Sequence, residues 1–210
     1  MAEAYSYARA LHKRRPDPGP FSTYQKYKPF LKADFRRTCV YCRTPDDSKG
    51  NDAFGVDHYL PKEYFKALKT SYTNLFYCCN TCNRRKGKYF PDDLDKREKR
   101  FVPNPCDHRM FEHLQFVGLE VKPKTVAGRH TVELLKLNDK EWLRHRRMTQ
   151  AAIEHLQSEH AVAEAWLREL VARRSAATGS KAATLLVEEA EARSAVDELE
   201  ELLRGLGSLP

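Results

Sequence analysis

The sequence predicts an α+β fold with a small cysteine-rich core, helical flanks and a C-terminal antiparallel helical hairpin. Two Cys-x-x-Cys pairs are separated by 36 residues in the first half of the chain. Strand-like and helix-like segments follow one another between and after these pairs, and a seven-residue apolar repeat occupies the last third. A chain of 210 residues is long enough for one such core and a helical appendage.

The composition divides the chain into three parts. Residues 1–20 are rich in proline and charge, which predicts a flexible N-terminus. Residues 21–138 are predicted to form the main domain, with its core at 39–88. Residues 139–210 are predicted to form the helical hairpin, which either packs on the main domain or docks a partner.

Within the core, the order of elements is strand, strand, helix. The polar segment 44–55 indicates a loop, and residues 53–59 form a short strand stopped by Pro61. A second extended segment at 72–78 leads into a helix that opens near Asn80.

The flanks are predicted from the same kind of pattern. Apolar residues recur at helical spacing over 24–35, and 114–123 has the pattern of a small hairpin followed by a helix at 130–138. From residue 139 two long amphipathic helices follow, separated by the Gly/Ser-containing break ATGSK.

Charge is concentrated at the front of the chain. Residues 1–113 hold 23 Lys and Arg against 14 Asp and Glu, a net charge of +9, whereas 114–210 carry a net charge of −1. This asymmetry favours a polyanionic partner for the front half. No apolar run reaches membrane-spanning length and no secretory signal is recognisable, so we expect a cytoplasmic protein without membrane contact.

In a reducing compartment, paired cysteines are typical of metal sites rather than of disulfides. Each pair places two thiolates on one side of a tight turn, and four thiolates satisfy tetrahedral zinc. The predicted structural zinc ligands are Cys39, Cys42, Cys79 and Cys82. Cys79 is preferred to Cys78 because it repeats the spacing of the first pair, and Cys106 is expected to be a small buried side chain.

Several polar residues of a characteristic order lie between and after the cysteine pairs. They are Asp57, His58, Pro61, Asn74, Asn83 and Lys86. Together with the cysteines, this order resembles the HNH endonucleases of the ββα-metal, or His-Me finger, class in their zinc-containing form, over about residues 39–88. The resemblance is incomplete at its third named position, where Asn83 replaces the second histidine.

The resemblance implies roles for these residues in phosphodiester hydrolysis. His58 would be the general base, and Asp57 and Asn83 would hold a catalytic Mg²⁺ or Mn²⁺ ion. Asn74 would fix the loop and orient the imidazole of His58. Because neighbours on a strand point to opposite faces, we expect the strand to end or bulge at Asp57 and His58.

Four basic residues follow Asn83 on the predicted helix, and they are Arg84, Arg85, Lys86 and Lys88. We predict that they contact nucleic-acid phosphates, with a solvated basic face as the alternative for each of them. Weaker candidates of the same kind are Lys62, Arg36 and Arg37.

A looser likeness extends over residues 21–147. There the chain is similar to HNH nucleases of bacterial antiphage systems of the Septu and retron-linked type. This implies an ABC/SMC-like ATPase as partner, for which the helices at 139–204 are the candidate docking element.

Three functions are compatible with these observations. The first is a divalent-metal-dependent DNA endonuclease of an antiphage system, with RNA as an open alternative substrate. The second is a zinc-stabilised nucleic-acid-binding module without catalysis, and the third is a structural adaptor. The ordered set of catalytic residue types favours the first over the second, and the basic front half favours it over the third.

Overall fold

A computed structural model describes residues 5–208 of the protein, which form two compact units, from residue 5 to Arg147 and from Met148 to residue 208. Within these residues, seven α-helices and two two-stranded antiparallel sheets confirm the predicted α+β class. None of the helices in this range has the length and apolarity needed to cross a bilayer.

The first sheet and the helix after it form the centre of the first unit. Strand β1 (Phe54–His58) pairs antiparallel with β2 (Leu75–Cys79), and α2 (Asn80–Lys86) begins at the residue after β2. All five residues of β2 are buried, since this strand has protein on both faces. The predicted order of strand, strand and helix is confirmed.

The segment before the first cysteine pair is a broken helix rather than a continuous one. A 3₁₀ turn at Tyr24–Tyr27 precedes α1 (Lys28–Asp34), and Pro29 lies in the first turn of α1, where its missing N–H is tolerated. Tyr27 and Leu31 are buried, and α1 packs against both β1 and β2.

Residues 5–20 form no helix or strand, and most of them are exposed, but two aromatic residues at their start are packed. Tyr5 and Tyr7 are buried, and the Tyr7 hydroxyl donates a hydrogen bond to the Tyr41 carbonyl at 2.7 Å. The Tyr7 ring also stacks on Phe116 at 5.1 Å between ring centroids. Burial of these large aromatic rings ties down a segment that has no secondary structure of its own.

A second sheet lies further along the chain. Strands β3 (Leu114–Val117) and β4 (Glu120–Pro123) form the predicted hairpin, whose turn includes Gly118 at φ 58°.

Helix α5 (Val126–Leu134) follows this sheet, and it starts and ends earlier than the predicted 130–138. Its N-terminus is set by Thr125, whose hydroxyl accepts a hydrogen bond from the Gly128 N–H. Two short helices, α3 (Asp93–Arg97) and α4 (Met110–His113), precede this sheet.

The long C-terminal helices are α6 (Lys140–Ser175) and α7 (Gly179–Gly205). The start of α6 belongs to the first unit, because Trp142 is part of its core and the buried Arg146 donates a hydrogen bond to the Leu119 carbonyl at 2.9 Å. The first unit therefore extends beyond the predicted boundary at residue 138.

The second unit is the predicted antiparallel hairpin. Leu170 of α6 packs with Leu185 and Ala192 of α7 in a small apolar cluster. Next to it, the Glu189 carboxylate accepts hydrogen bonds from Arg174 at 2.5 Å and Arg193 at 3.2 Å. These ionic contacts thus add to the packing of α6 against α7, where the seven-residue repeat has few large apolar residues.

Candidate active site

The four predicted zinc ligands come together at one buried point. Cys39 and Cys42 lie in the turn after α1, Cys79 ends β2, and Cys82 lies in the first turn of α2. The Sγ atom of Cys79 also accepts a hydrogen bond from the Cys82 N–H at 3.4 Å, so the same thiolate caps the helix.

The spacing of these sulfur atoms is compatible with zinc. All four Sγ atoms lie within 4.8 Å of one another, and those of Cys42 and Cys79 are 3.8 Å apart. Zn–S bonds of about 2.3 Å in a tetrahedron require sulfur atoms about 3.8 Å apart. The cluster therefore has the ligand type, number and size of a structural zinc site.

Two other cysteines lie outside this cluster. Cys78 is fully buried, and its Sγ atom is 4.0 Å from that of Cys39. It is therefore close to the cluster but is not one of the four residues whose sulfur atoms all lie within 4.8 Å of one another. Cys106 is half-buried.

His58, the predicted general base, is the last residue of β1 and is mostly buried. Its Nε2 atom lies 2.9 Å from the carbonyl oxygen of Lys69. Because a carbonyl can only accept, Nε2 carries the proton and Nδ1 keeps a lone pair. Burial lowers the pKa of the imidazole below its ordinary value, although the hydrogen bond to Lys69 opposes this shift. The neutral form of His58 is thus favoured at neutral pH.

An aromatic residue packs against the imidazole of His58. The Tyr24 ring meets the His58 ring edge-on, with centroids 4.6 Å apart and an interplanar angle of 74°. The Nζ atom of Lys62 lies 3.4 Å from the Tyr24 hydroxyl and 4.9 Å from the centroid of its ring. His58, Tyr24 and Lys62 are therefore in continuous contact.

Asp57 leaves the opposite face of β1. The strand pairs regularly through Asp57 opposite Phe76 and His58 opposite Leu75, so the expected bulge is absent at these two residues of the described chain. The carboxylate accepts a hydrogen bond from the Tyr41 hydroxyl at 2.6 Å. The strand therefore ends at His58 without a bulge, which is one of the two expected alternatives.

A buried lysine is the second partner of Asp57. The Lys86 Nζ atom lies 3.2 Å from Oδ1 and 3.1 Å from Oδ2 of Asp57, and it donates a hydrogen bond to the His58 carbonyl at 2.7 Å. Lys86 therefore ties α2 to the end of β1. These contacts correct the prediction that its ammonium group faces nucleic-acid phosphates.

Asn83, the second predicted ligand of the catalytic metal, lies on the same helix. It is half-buried, and its Nδ2 atom donates to the Val56 carbonyl at 3.4 Å, next to Asp57 in the strand. An Asp carboxylate and an Asn amide oxygen are hard ligands suited to Mg²⁺ or Mn²⁺. The donor set fits such an ion, but the Asp57 carboxylate already contacts the Lys86 ammonium group.

Asn74 holds the loop that follows β1. Its Oδ1 atom accepts from the Leu60 N–H at 2.8 Å, and its Nδ2 atom donates to the carbonyls of Leu60 at 3.0 Å and Leu68 at 3.3 Å. The same loop contains Lys69, whose carbonyl accepts the hydrogen bond from His58 Nε2. Asn74 is therefore placed to orient His58 through the loop rather than by touching the ring.

The four basic residues that follow Asn83 have different environments. Arg84 is exposed on α2, and Lys88 is exposed just after the helix ends. Arg85 donates hydrogen bonds to the carbonyls of Leu135 at 2.9 Å and Lys136 at 3.1 Å. It also pairs with the Asp139 carboxylate at 2.8 Å. Arg84 and Lys88 stay candidates for phosphate contact, whereas Arg85, like Lys86, is committed to protein groups.

Sequence patterns did not point to three contacts of this site: the Lys69 carbonyl, the Tyr41 hydroxyl and the Tyr24 ring. A backbone carbonyl carries no side-chain signal, and the aromatic spacing around Tyr24 indicates only a helix. The position of Tyr41 inside the first Cys-x-x-Cys pair is the one clue, since it fixes that side chain close to the zinc site.

Comparison with known proteins agrees with this geometry. Residues 39–89 match the family model described as HNH endonuclease, which confirms the resemblance drawn from the motif order. A Bacillus thuringiensis protein named Septu protein PtuB is 30% identical over 127 residues, which cover 58% of this chain and 46% of the relative. The chain thus spans about half the length of that relative. No solved structure matches the chain.

Proposed function

We propose, from the HNH endonuclease domain at residues 39–89, that the protein is a divalent-metal-dependent nuclease that hydrolyses phosphodiester bonds in DNA. The observation that carries this proposal is the hydrogen bond from His58 Nε2 to the Lys69 carbonyl. It holds the imidazole in the tautomer whose Nδ1 atom accepts a proton.

In this mechanism His58 removes a proton from the attacking water through Nδ1. A lowered pKa keeps the base unprotonated in the cell, and the loop pinned by Asn74 keeps it oriented. The Tyr24 ring packed against the imidazole limits its rotation. Each of these contacts serves the same end, which is a fixed and neutral imidazole.

Asp57 and Asn83 are the residues that would hold the Mg²⁺ or Mn²⁺ ion. When bound, the ion would stabilise negative charge on the phosphate and on the departing 3′ oxygen. Since Asp57 already contacts Lys86 and Tyr41, it would share its carboxylate between these groups and the ion. Catalysis therefore depends on Asp57 retaining an available lone pair.

Arg84 and Lys88 would contribute salt-sensitive affinity for the DNA backbone. Their exposure at the end of α2, the helix that carries Asn83, supports this role. RNA offers the same phosphates and is the alternative substrate.

The relative named Septu protein PtuB supports a role as the nuclease of an antiphage system. In that setting the unit 148–208 would dock an ABC/SMC-like ATPase subunit. A regulating partner also has a physical rationale, because contacts to the DNA backbone alone carry no sequence information that would spare the host genome.

The proposal is tested by incubating supercoiled plasmid with the protein and Mg²⁺ or Mn²⁺, alone and together with the products of neighbouring genes. We expect nicking or linearisation by the wild type, and a fall of roughly 10²-fold or more in His58→Ala. In the assay with the protein alone, the matched control is His155→Ala, because the His155 side chain is 72% exposed and lies outside residues 39–89.

Equal cutting by His58→Ala and wild type would remove the proposed base. If nothing cuts under any condition while DNA binding is intact, the zinc-stabilised binding module without catalysis is the better description. The ion pair that engages Asp57 is the observation that favours this second candidate.

A further inference from the structure

We propose that Lys62 binds the scissile phosphate next to His58, and that Tyr24 positions both residues for this task. The inference rests on the proposed nuclease function and deepens it, since it names the cation on the side of the base. The three side chains form an uninterrupted series of contacts from Lys62 through Tyr24 to His58.

Lys62 is half-buried, and its ammonium group has no counter-charge among the described residues. Within residues 5–208, no carboxylate lies within ion-pair distance of it, and its hydrogen bond is to the Tyr24 hydroxyl at 3.4 Å. Partial burial of an ammonium group without an anion is unfavourable. A phosphate oxygen is the anion that a nuclease substrate would bring to this place.

Lys86 provides an internal comparison. Its side chain is 1% exposed, and its ammonium group is neutralised by Asp57. Lys86 therefore has an anionic partner within the chain, whereas Lys62 has none among the described residues. This difference assigns the external anion to Lys62.

The loop around Lys62 is fixed at several points. The Pro61 carbonyl accepts hydrogen bonds from the N–H groups of Tyr64 and Phe65, and Asn74 holds the preceding Leu60. A cation on a held turn needs little reorganisation when substrate binds, which is the condition for electrostatic stabilisation of a transition state. Lys62 is thus placed as a preorganised group rather than as a mobile surface lysine.

Tyr24 acts on both partners. Its ring makes a T-shaped contact with the imidazole, while its face and hydroxyl meet the ammonium group of Lys62. Removal of the hydroxyl should loosen Lys62 alone, whereas removal of the ring should loosen both residues. Tyr24 is a positioning residue, and Lys62 is the one that touches substrate.

The test measures plasmid or duplex cleavage at saturating DNA for Lys62→Met, with Lys66→Met as the control on the exposed part of the same loop. We expect Lys62→Met to lower kcat about 10²-fold, as removal of one transition-state cation or donor does. Lys62→Arg should recover part of this loss. Lys66→Met should change KM slightly and leave kcat unchanged.

Two further variants separate positioning from folding. Tyr24→Phe keeps the ring and should lower kcat by several-fold, and Tyr24→Leu should lower it as much as Lys62→Met does. The thermal midpoint and zinc content of Tyr24→Phe and Lys62→Arg should equal those of the wild type, so a loss of kcat in them cannot be attributed to unfolding.

The possible results of these tests distinguish the assignment of Lys62 from the proposed nuclease function. If His58→Ala is inactive but Lys62→Met cuts like the wild type, the assignment of Lys62 is overturned and the nuclease function stands. If Lys62→Met raises KM by the same factor as Lys66→Met and leaves kcat unchanged, Lys62 is an ordinary surface cation and the assignment is likewise overturned. An inactive wild type overturns both.

Discussion

Lys86 and Asp57 form an ion pair from which solvent is almost completely excluded, with side chains 1% and 3% exposed and Nζ 3.1 Å from Oδ2. We expect Lys86→Met to lower the free energy of unfolding by about 3–5 kcal/mol, because it leaves the Asp57 carboxylate buried without its cation. Urea unfolding followed by circular dichroism measures this change.

Lys88→Met is the matched control for this prediction. Lys88 is exposed and follows the end of α2, so its replacement should change the free energy of unfolding by no more than about 0.5 kcal/mol. If the two methionine variants unfold alike, the Lys86 ammonium group is not held as described.

The neighbours Arg84 and Arg85 should separate DNA binding from stability. Arg84→Ala should weaken DNA binding and lower the slope of log Kd against log salt by about one, since one phosphate contact is lost. Arg85→Ala should destabilise the fold by about 1–3 kcal/mol, because the carbonyls of Leu135 and Lys136 lose their donor. Fluorescence anisotropy at several salt concentrations and urea unfolding measure the two effects, and an exchange of the two phenotypes would contradict the assignment.

Loss of a cysteine ligand should have a different effect from loss of Asn83. Cys79→Ser should remove bound zinc and prevent stable folding, since Cys79 is both a ligand and the N-cap of α2. Asn83→Ala should keep zinc and fold but stop cutting. Zinc content by atomic spectroscopy and the plasmid assay measure both.

Cys106→Ser and Cys78→Ser provide controls for the zinc site. Both residues lie outside the four-sulfur cluster, so both variants should retain the zinc of the wild type. Loss of zinc from Cys78→Ser would instead identify Cys78, whose Sγ atom is 4.0 Å from that of Cys39, as a ligand.

Asn74 should contribute to both stability and cutting. Asn74→Ala removes the hydrogen bonds of a buried side chain to Leu60 and Leu68, and we expect a loss of about 1–3 kcal/mol together with a lower cleavage rate. Asn80→Ala, which removes one exposed hydrogen bond to the Asp52 carbonyl, should change either quantity little. A cleavage rate in Asn74→Ala equal to that of the wild type would show that the loop does not orient His58.

Local patterns were sufficient to predict the cluster of four cysteines, the order of β1, β2 and α2, and the β3–β4 hairpin. In each of these the spacing along the chain determines the geometry directly, as in a Cys-x-x-Cys turn or in a strand that alternates. The helix at residues 24–35 was predicted less well, because Pro29 starts a new helix after a 3₁₀ turn.

Long-range contacts could not be predicted in this way. The burial of Lys86 depends on Asp57, 29 residues earlier in the chain, and the tautomer of His58 depends on a backbone carbonyl. A lysine in a basic run indicates exposure on average, and only the packed structure shows which one is turned inward. The same holds for Trp142 and Arg146, whose heptad spacing indicates a hairpin seam although both belong to the first unit.

The junction at Cys79, where β2 passes directly into α2, has a consequence for how the protein matures after synthesis. Asn83 and Lys86 follow Cys82 within the same short helix, so a newly made chain that has not yet acquired zinc is expected to lack an ordered active site. Zinc supply would then determine when a newly made chain becomes able to act on DNA, including the cell's own.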